Sequence, residues 1–179
     1  MKLNARLEDV LQKVAIEPDH QERLKLIESQ ETTRYEVIGI RKPLVVTAIR
    51  MNRLRHLARL KPGAWNKICD YLLITARDEV YCAVFVELKE TLRQNDDARE
   101  QLRRSLPILE YLRSVCAVED LIKPDVSVRY VILANRDAKR LDKQRIRITP
   151  SEAIREERYR GIDVRSFVCE RISIENLTK

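Results

Sequence analysis

Glycine, histidine and aromatic residues are all scarce in this chain. Three glycines in 179 residues, with no low-complexity stretch and no internal repeat, leave no flexible linker and point to a single domain over 1–179. Aromatics make up only 5% of the chain, so a mostly aliphatic core is expected. The two histidines, His20 and His56, lie far apart, and the cysteines Cys69, Cys82, Cys116 and Cys169 form no CxxC pair. A structural zinc site needs clustered ligands, which argues against one here. The cysteines sit in apolar segments and read as small buried thiols of a reducing, cytoplasmic compartment. No apolar run approaches membrane-spanning length. Met1–Val10 carries Lys2, Arg6, Glu8 and Asp9 instead of a hydrophobic signal core, so no membrane is expected as a partner.

Charge, by contrast, is abundant. Charged residues are 35% of the chain, and the net charge is +7, which makes polyanions plausible partners. From Arg41 to Lys61 there are seven Lys and Arg residues and no Asp or Glu. Within that run Arg50, Arg53, Arg55, Arg59 and Lys61 are the candidates for contacting nucleic-acid phosphates. The second basic run, Arg136 to Arg147, is diluted by Asp137 and Asp142.

Apolar periodicity predicts helices over much of Lys2–Val14 and over Pro18–Ser29. Short strands follow around Tyr35–Ile40 and Leu44–Ile49, then a basic helix over Asn52–Leu60 that ends at Lys61-Pro62-Gly63. Ile68–Thr75 and Val80–Lys89 are two apolar strands around the polar turn Ala76–Glu79, which reads as a central hairpin. Asp96–Cys116 is helical, with Leu102, Leu106, Leu109, Leu112 and Val115 as its apolar stripe and Pro107 as a possible kink. Val126–Ala134 is a further strand. Ser151–Ile154 reads as a helix start and Asp163–Ile174 as a last strand. The expected fold is α/β, a central mixed β-sheet flanked by helices.

Polar residues inside buried strands carry the most information. Glu87 and Lys89 lie two apart at the end of an apolar run, so they share one strand face. If Arg77 and Asp78 are the loop residues, Asp70 faces Phe85 and is the diagonal neighbour of Glu87 on the same face, with Cα atoms roughly 7–8 Å apart. Two carboxylates beside one ammonium suit a hard divalent cation such as Mg²⁺. A cation there would polarise a phosphodiester, and Lys89 would orient water or offset developing charge. A one-residue slip in register would put Asp70 on the opposite face and break the arrangement.

The run Cys69-Asp70-Tyr71, then Glu87-Leu88-Lys89, then a helix from Asp96, resembles the PD-(D/E)XK nuclease superfamily. The wider CDYL…VELK pattern looks like that of a group of small bacterial proteins. The resemblance implies a restriction-endonuclease-like core, Mg²⁺ or Mn²⁺ dependence and hydrolysis of DNA or RNA. It makes Asp70 and Glu87 metal ligands, Lys89 the catalytic lysine and Gln101 a further site residue on the following helix. A Glu on the first helix is also implied, with Glu8, Glu22 and Glu28 as candidates. Cys69 departs from the pattern, standing where the signature carries Pro. Arg99, Arg103 and Arg104 could meet phosphates, although pairing with Glu100 and its neighbours is the commoner role for such residues. Trp65 and Tyr111 could stack on bases, although core packing is the commoner role.

The expected function is a metal-dependent nuclease, in defence or repair. The alternative is an inactive nuclease-fold subunit that binds nucleic acid or a protein partner, and a homodimer is compatible with either.

Overall fold

Unbroken burial in the central strands, and alternating burial in strands nearer the edges, shape most of the architecture. The computed structural model describes residues 16–17, 23–27, 34–41, 44–51, 67–77, 80–92, 96–118, 125–137 and 154–179. In chain order the elements are β1 (Ile16–Glu17), β2 (Arg23–Ile27), β3 (Arg34–Ile38), β4 (Val45–Arg50), β5 (Tyr71–Arg77), β6 (Val80–Leu92), α1 (Asp96–Val118), β7 (Val126–Asp137), β8 (Arg155–Tyr159), β9 (Ile162–Val168), β10 (Arg171–Ser173) and α2 (Ile174–Thr178).

Strand β6 is the spine. Every residue from Cys82 to Leu88 is buried, as expected of a strand covered on both faces. It lies fourth in a seven-stranded sheet ordered β1-β4-β5-β6-β7-β9-β8. The β1–β4–β5–β6 pairings are antiparallel, β6–β7 and β7–β9 are parallel, and β8 returns antiparallel to β9. A parallel pair needs a long crossover, and α1 supplies it between β6 and β7. The fold is therefore α/β with a mixed central sheet.

The two sheet faces have different covers. On one, Leu72, Ile74, Ala83, Phe85, Tyr130 and Ile132 pack beneath Leu102, Leu109 and Leu112 of α1. The rings of Phe85 and Tyr130 stack there, 5.6 Å apart. On the other, Leu73, Val84, Val86, Leu88 and Leu133 meet a second sheet, ordered β10-β3-β2, and the short α2.

That second sheet corrects two expectations. Residues 23–27, predicted as part of a helix, form β2: Leu24 and Leu26 are buried while Arg23 and Lys25 are exposed, a period of two. Part of the cover expected from a helix layer is therefore a sheet. Ile154, predicted to begin a helix, is a bend leading into β8, an edge strand whose charged residues alternate between half-buried and exposed. Its hairpin with β9 turns at Arg160 (φ 44°) and Gly161 (φ 91°), the two positive φ values of a type I′ turn. The predicted last strand divides into β9 and β10, which belong to different sheets. The helices predicted over Lys2–Val14 and Asn52–Leu60 lie outside the described residues. Among those described, no helix is long and apolar enough to cross a membrane.

Tyr71 ties the two sheets together. Its hydroxyl donates to Ile27 O (3.0 Å) and accepts from Ile27 N–H (3.0 Å) and Arg50 Nε (3.0 Å). Tyr71→Phe strands these partly buried partners and should lower unfolding free energy by about 1–3 kcal/mol in urea denaturation. An unchanged midpoint would show that the three bonds contribute nothing.

Candidate active site at the end of the central hairpin

The hairpin register decides whether the predicted residues meet. β5 pairs with β6 from Arg77↔Val80 to Tyr71↔Val86. The strands thus run through Ala76 and Arg77, which were expected in the turn, and the pairing is displaced by two residues from the expected one. A two-residue step leaves every side chain on its face. Continuing the register by one residue brings Asp70 level with Glu87, instead of diagonal to it.

Asp70 sits in a bend just before β5. Its Oδ2 accepts the Leu88 backbone N–H at 2.8 Å, and its carbonyl accepts Met51 N–H at 2.9 Å. Leu88 lies between Glu87 and Lys89, so that bond fixes the Asp70 carboxylate beside both. Glu87 continues the Ala83–Phe85 side of β6, the face covered by α1, and is 1% exposed. Lys89 Nζ pairs with Glu87 Oε1 at 2.6 Å and is 24% exposed. From α1, Gln101 completes the group. With its amide turned to satisfy both neighbours, it donates to Glu87 Oε1 at 2.9 Å and to Ile68 O at 3.3 Å. Asp70, Glu87, Lys89 and Gln101 are thus brought together where the β5–β6 pairing stops, while β6 itself runs on to Leu92.

Ser105, which sequence reasoning passed over, and Cys69, noted there only as a buried thiol and a departure from the signature, hold this group. Cys69 N–H donates to Ser105 Oγ at 2.9 Å, and Ser105 Oγ donates to Gln101 O at 2.8 Å. A proline at 69 would have no N–H to give. The available signal was Ser105 itself, a polar residue one helical turn beyond Gln101 and on its face. Burial pushes the Cys69 thiol well above its ordinary range, and the charges of Glu87 and Asp70 push it the same way, so it is a neutral thiol and no nucleophile. Burial also raises Cys169, to about 12. Cys69, Cys82 and Cys169 are buried and free; the side chain of Cys116 lies outside the described set.

The remaining candidates lie elsewhere. Arg50 is paired with Tyr71 in the β4–β5 register, which puts it on the face of the second sheet, away from the carboxylates. Arg53, Arg55, Arg59 and Lys61 fall outside the described residues, as do Trp65, Glu8, Glu22 and Glu28. Tyr111 is 53% exposed and does not pack in the core. Arg103 and Arg104 pair with Glu100 at 2.6 and 3.1 Å. Arg99, buried, instead bridges Asp96 (3.0 Å) and Glu157 (2.6 Å), joining α1 to β8.

The hydrogen bond from Arg103, together with the charges of Arg103 and Arg104, holds the Glu100 carboxyl down at about 2 against the opposing effect of burial. A depressed carboxyl stabilises the fold above its ordinary value of 4.5, and that contribution disappears as pH falls toward 2. The wild type should therefore melt above Glu100→Gln at pH 7, and the gap should close between pH 4.5 and 2 in thermal scans. A gap independent of pH would refute the ionic account.

Asp70 and Glu87 offer adjacent hard oxygen donors, the type that Mg²⁺ and Mn²⁺ take while keeping several waters. Among the described residues no group of three or more His, Cys, Asp or Glu side chains is placed to hold a metal, so Asp70 and Glu87 would be the share that the described residues supply. No protein-family model, curated protein or solved structure matches this chain.

Proposed function

We propose that this chain is a metal-dependent nuclease with a restriction-endonuclease-like core, hydrolysing phosphodiester bonds of DNA or RNA. The observation that carries the reading is the convergence of Asp70, Glu87, Lys89 and Gln101 where the β5–β6 pairing stops, from three separate stretches of chain. Asp70 and Glu87 would hold Mg²⁺ or Mn²⁺. The chemistry such a cation supplies is polarisation of a phosphodiester oxygen and acidification of water. Lys89, partly open to solvent, would meet substrate, its ammonium offsetting charge that develops on the phosphorus centre. Gln101 holds the Glu87 carboxylate in place, and Asp70 is held by the Leu88 N–H.

The closeness of the Lys89–Glu87 pair, with Glu87 almost fully buried, favours a second reading. In it the chain is an inactive nuclease-fold subunit that binds nucleic acid or a protein partner. Incubating the chain with single- and double-stranded DNA and RNA, in Mg²⁺ or Mn²⁺ and in chelator, separates the two. The nuclease reading expects cleavage that chelator abolishes. Salt-sensitive binding without cleavage of any substrate would transfer the assignment to the second reading.

A further inference from the structure

Ser105 is fully buried in the middle of α1, and its hydroxyl makes two bonds. Donation to the carbonyl four residues back, Gln101 O, is an ordinary way for a helical serine to satisfy its hydrogen. The bond it accepts is not local. Cys69 N–H, 36 residues away in sequence, reaches it at 2.9 Å from the segment just before β5, where ladder pairing has not begun. Asp70 is the next residue along that segment. Gln101 is one turn earlier on the helix, and its side chain spans Glu87 Oε1 and Ile68 O. One buried hydroxyl therefore joins the stretch carrying Asp70 to the helical turn carrying Gln101, and through Gln101 to Glu87.

We infer that Ser105 is a positioning residue for the candidate site: by joining Cys69 to Gln101 it sets the spacing of the Asp70 and Glu87 carboxylates, and thereby their affinity for a divalent cation. The inference rests on the metal-dependent nuclease reading. Ser105 contacts neither carboxylate and acts only through Cys69 and Gln101. The arrangement parallels the outer hydrogen bonds that orient metal ligands generally, whose loss costs about 10–100-fold in affinity or activity.

The experiment measures Mn²⁺ affinity of the full chain by titration, together with kcat and KM for nucleic-acid cleavage. It uses wild type, Ser105→Ala, Ser105→Thr and Ser114→Ala. Ser114 Oγ makes the same kind of helical bond, to Glu110 O at 2.8 Å, but on the exposed side, so it controls for the loss of a helix hydroxyl. Ser105→Ala should weaken Mn²⁺ binding at least tenfold and lower kcat with little change in KM. Ser105→Thr, which restores the hydroxyl, should recover most of the loss, and Ser114→Ala should match wild type. Should the alanine variant fail to fold, Ser105→Cys, nearly isosteric and a weak acceptor, carries the same readout. A Ser105 variant that melts earlier yet binds Mn²⁺ and turns over like wild type overturns the inference and leaves the nuclease reading standing. A wild-type chain that neither binds Mn²⁺ nor cleaves overturns both.

Discussion

Glu87→Gln should leave a folded protein whose cleavage of nucleic acid is lower by about 10²–10³-fold, the usual scale for removing one electrostatic element of a preorganised site. The substitution keeps the shape of a side chain that is 1% exposed, so packing against α1 survives. What it removes is the negative charge that Lys89 and Gln101 converge on at 2.6 and 2.9 Å. Lys89, 24% exposed, can turn toward solvent, so its positive charge is not trapped in the interior. Melting curves and gel cleavage assays of the two proteins side by side check the result. Equal cleavage rates would remove Glu87 from any catalytic role. A collapse of the fold would instead mark the Lys89–Glu87 pair as structural.

Phe85→Ala should lower unfolding free energy by about 3–5 kcal/mol, the range for truncating a large buried aromatic. Phe85 is fully buried, stacks on Tyr130 and belongs to the cluster that seats α1 on the sheet. It also lies two residues before Glu87 on the same face, so the cavity opens beside the residue that Gln101 contacts. Urea denaturation should show a lower midpoint with an unchanged slope. A loss below about 1 kcal/mol would mean that the helix relaxes into the space or does not depend on this contact.

The parts of the fold that were readable from sequence are those where a single stretch of chain dictates its own burial. VYCAVFVELK reads as a strand buried on at least one face, and the Leu stripe after Asp96 as a helix with one apolar side. Glu87 stood out because it interrupts such a run, and Lys89 because it lies two residues on. Arg23–Ile27 was misread because five residues with two buried leucines fit a helical pattern nearly as well as a strand. Its pairing with β3, distant in neither sequence nor space, decided the outcome. The β8–β9 hairpin was missed although Arg160-Gly161 marks its turn, because the flanking residues of β8 are charged and give little apolar signal.

Local sequence by itself determined which strand lies in the buried central hairpin, which helix follows it, and which three charged residues stand out beside it. Tertiary structure alone decided the exact register of Asp70, the bond from Leu88 N–H that holds it, the placement of Arg50 on the opposite face, and the bond from Cys69 N–H to Ser105. The physical reason is range. Burial periodicity is written in neighbours two to four residues apart, whereas each of those four features is a contact between segments distant in sequence, up to 36 residues apart, or the choice of a sheet face, and depends on how separate elements dock.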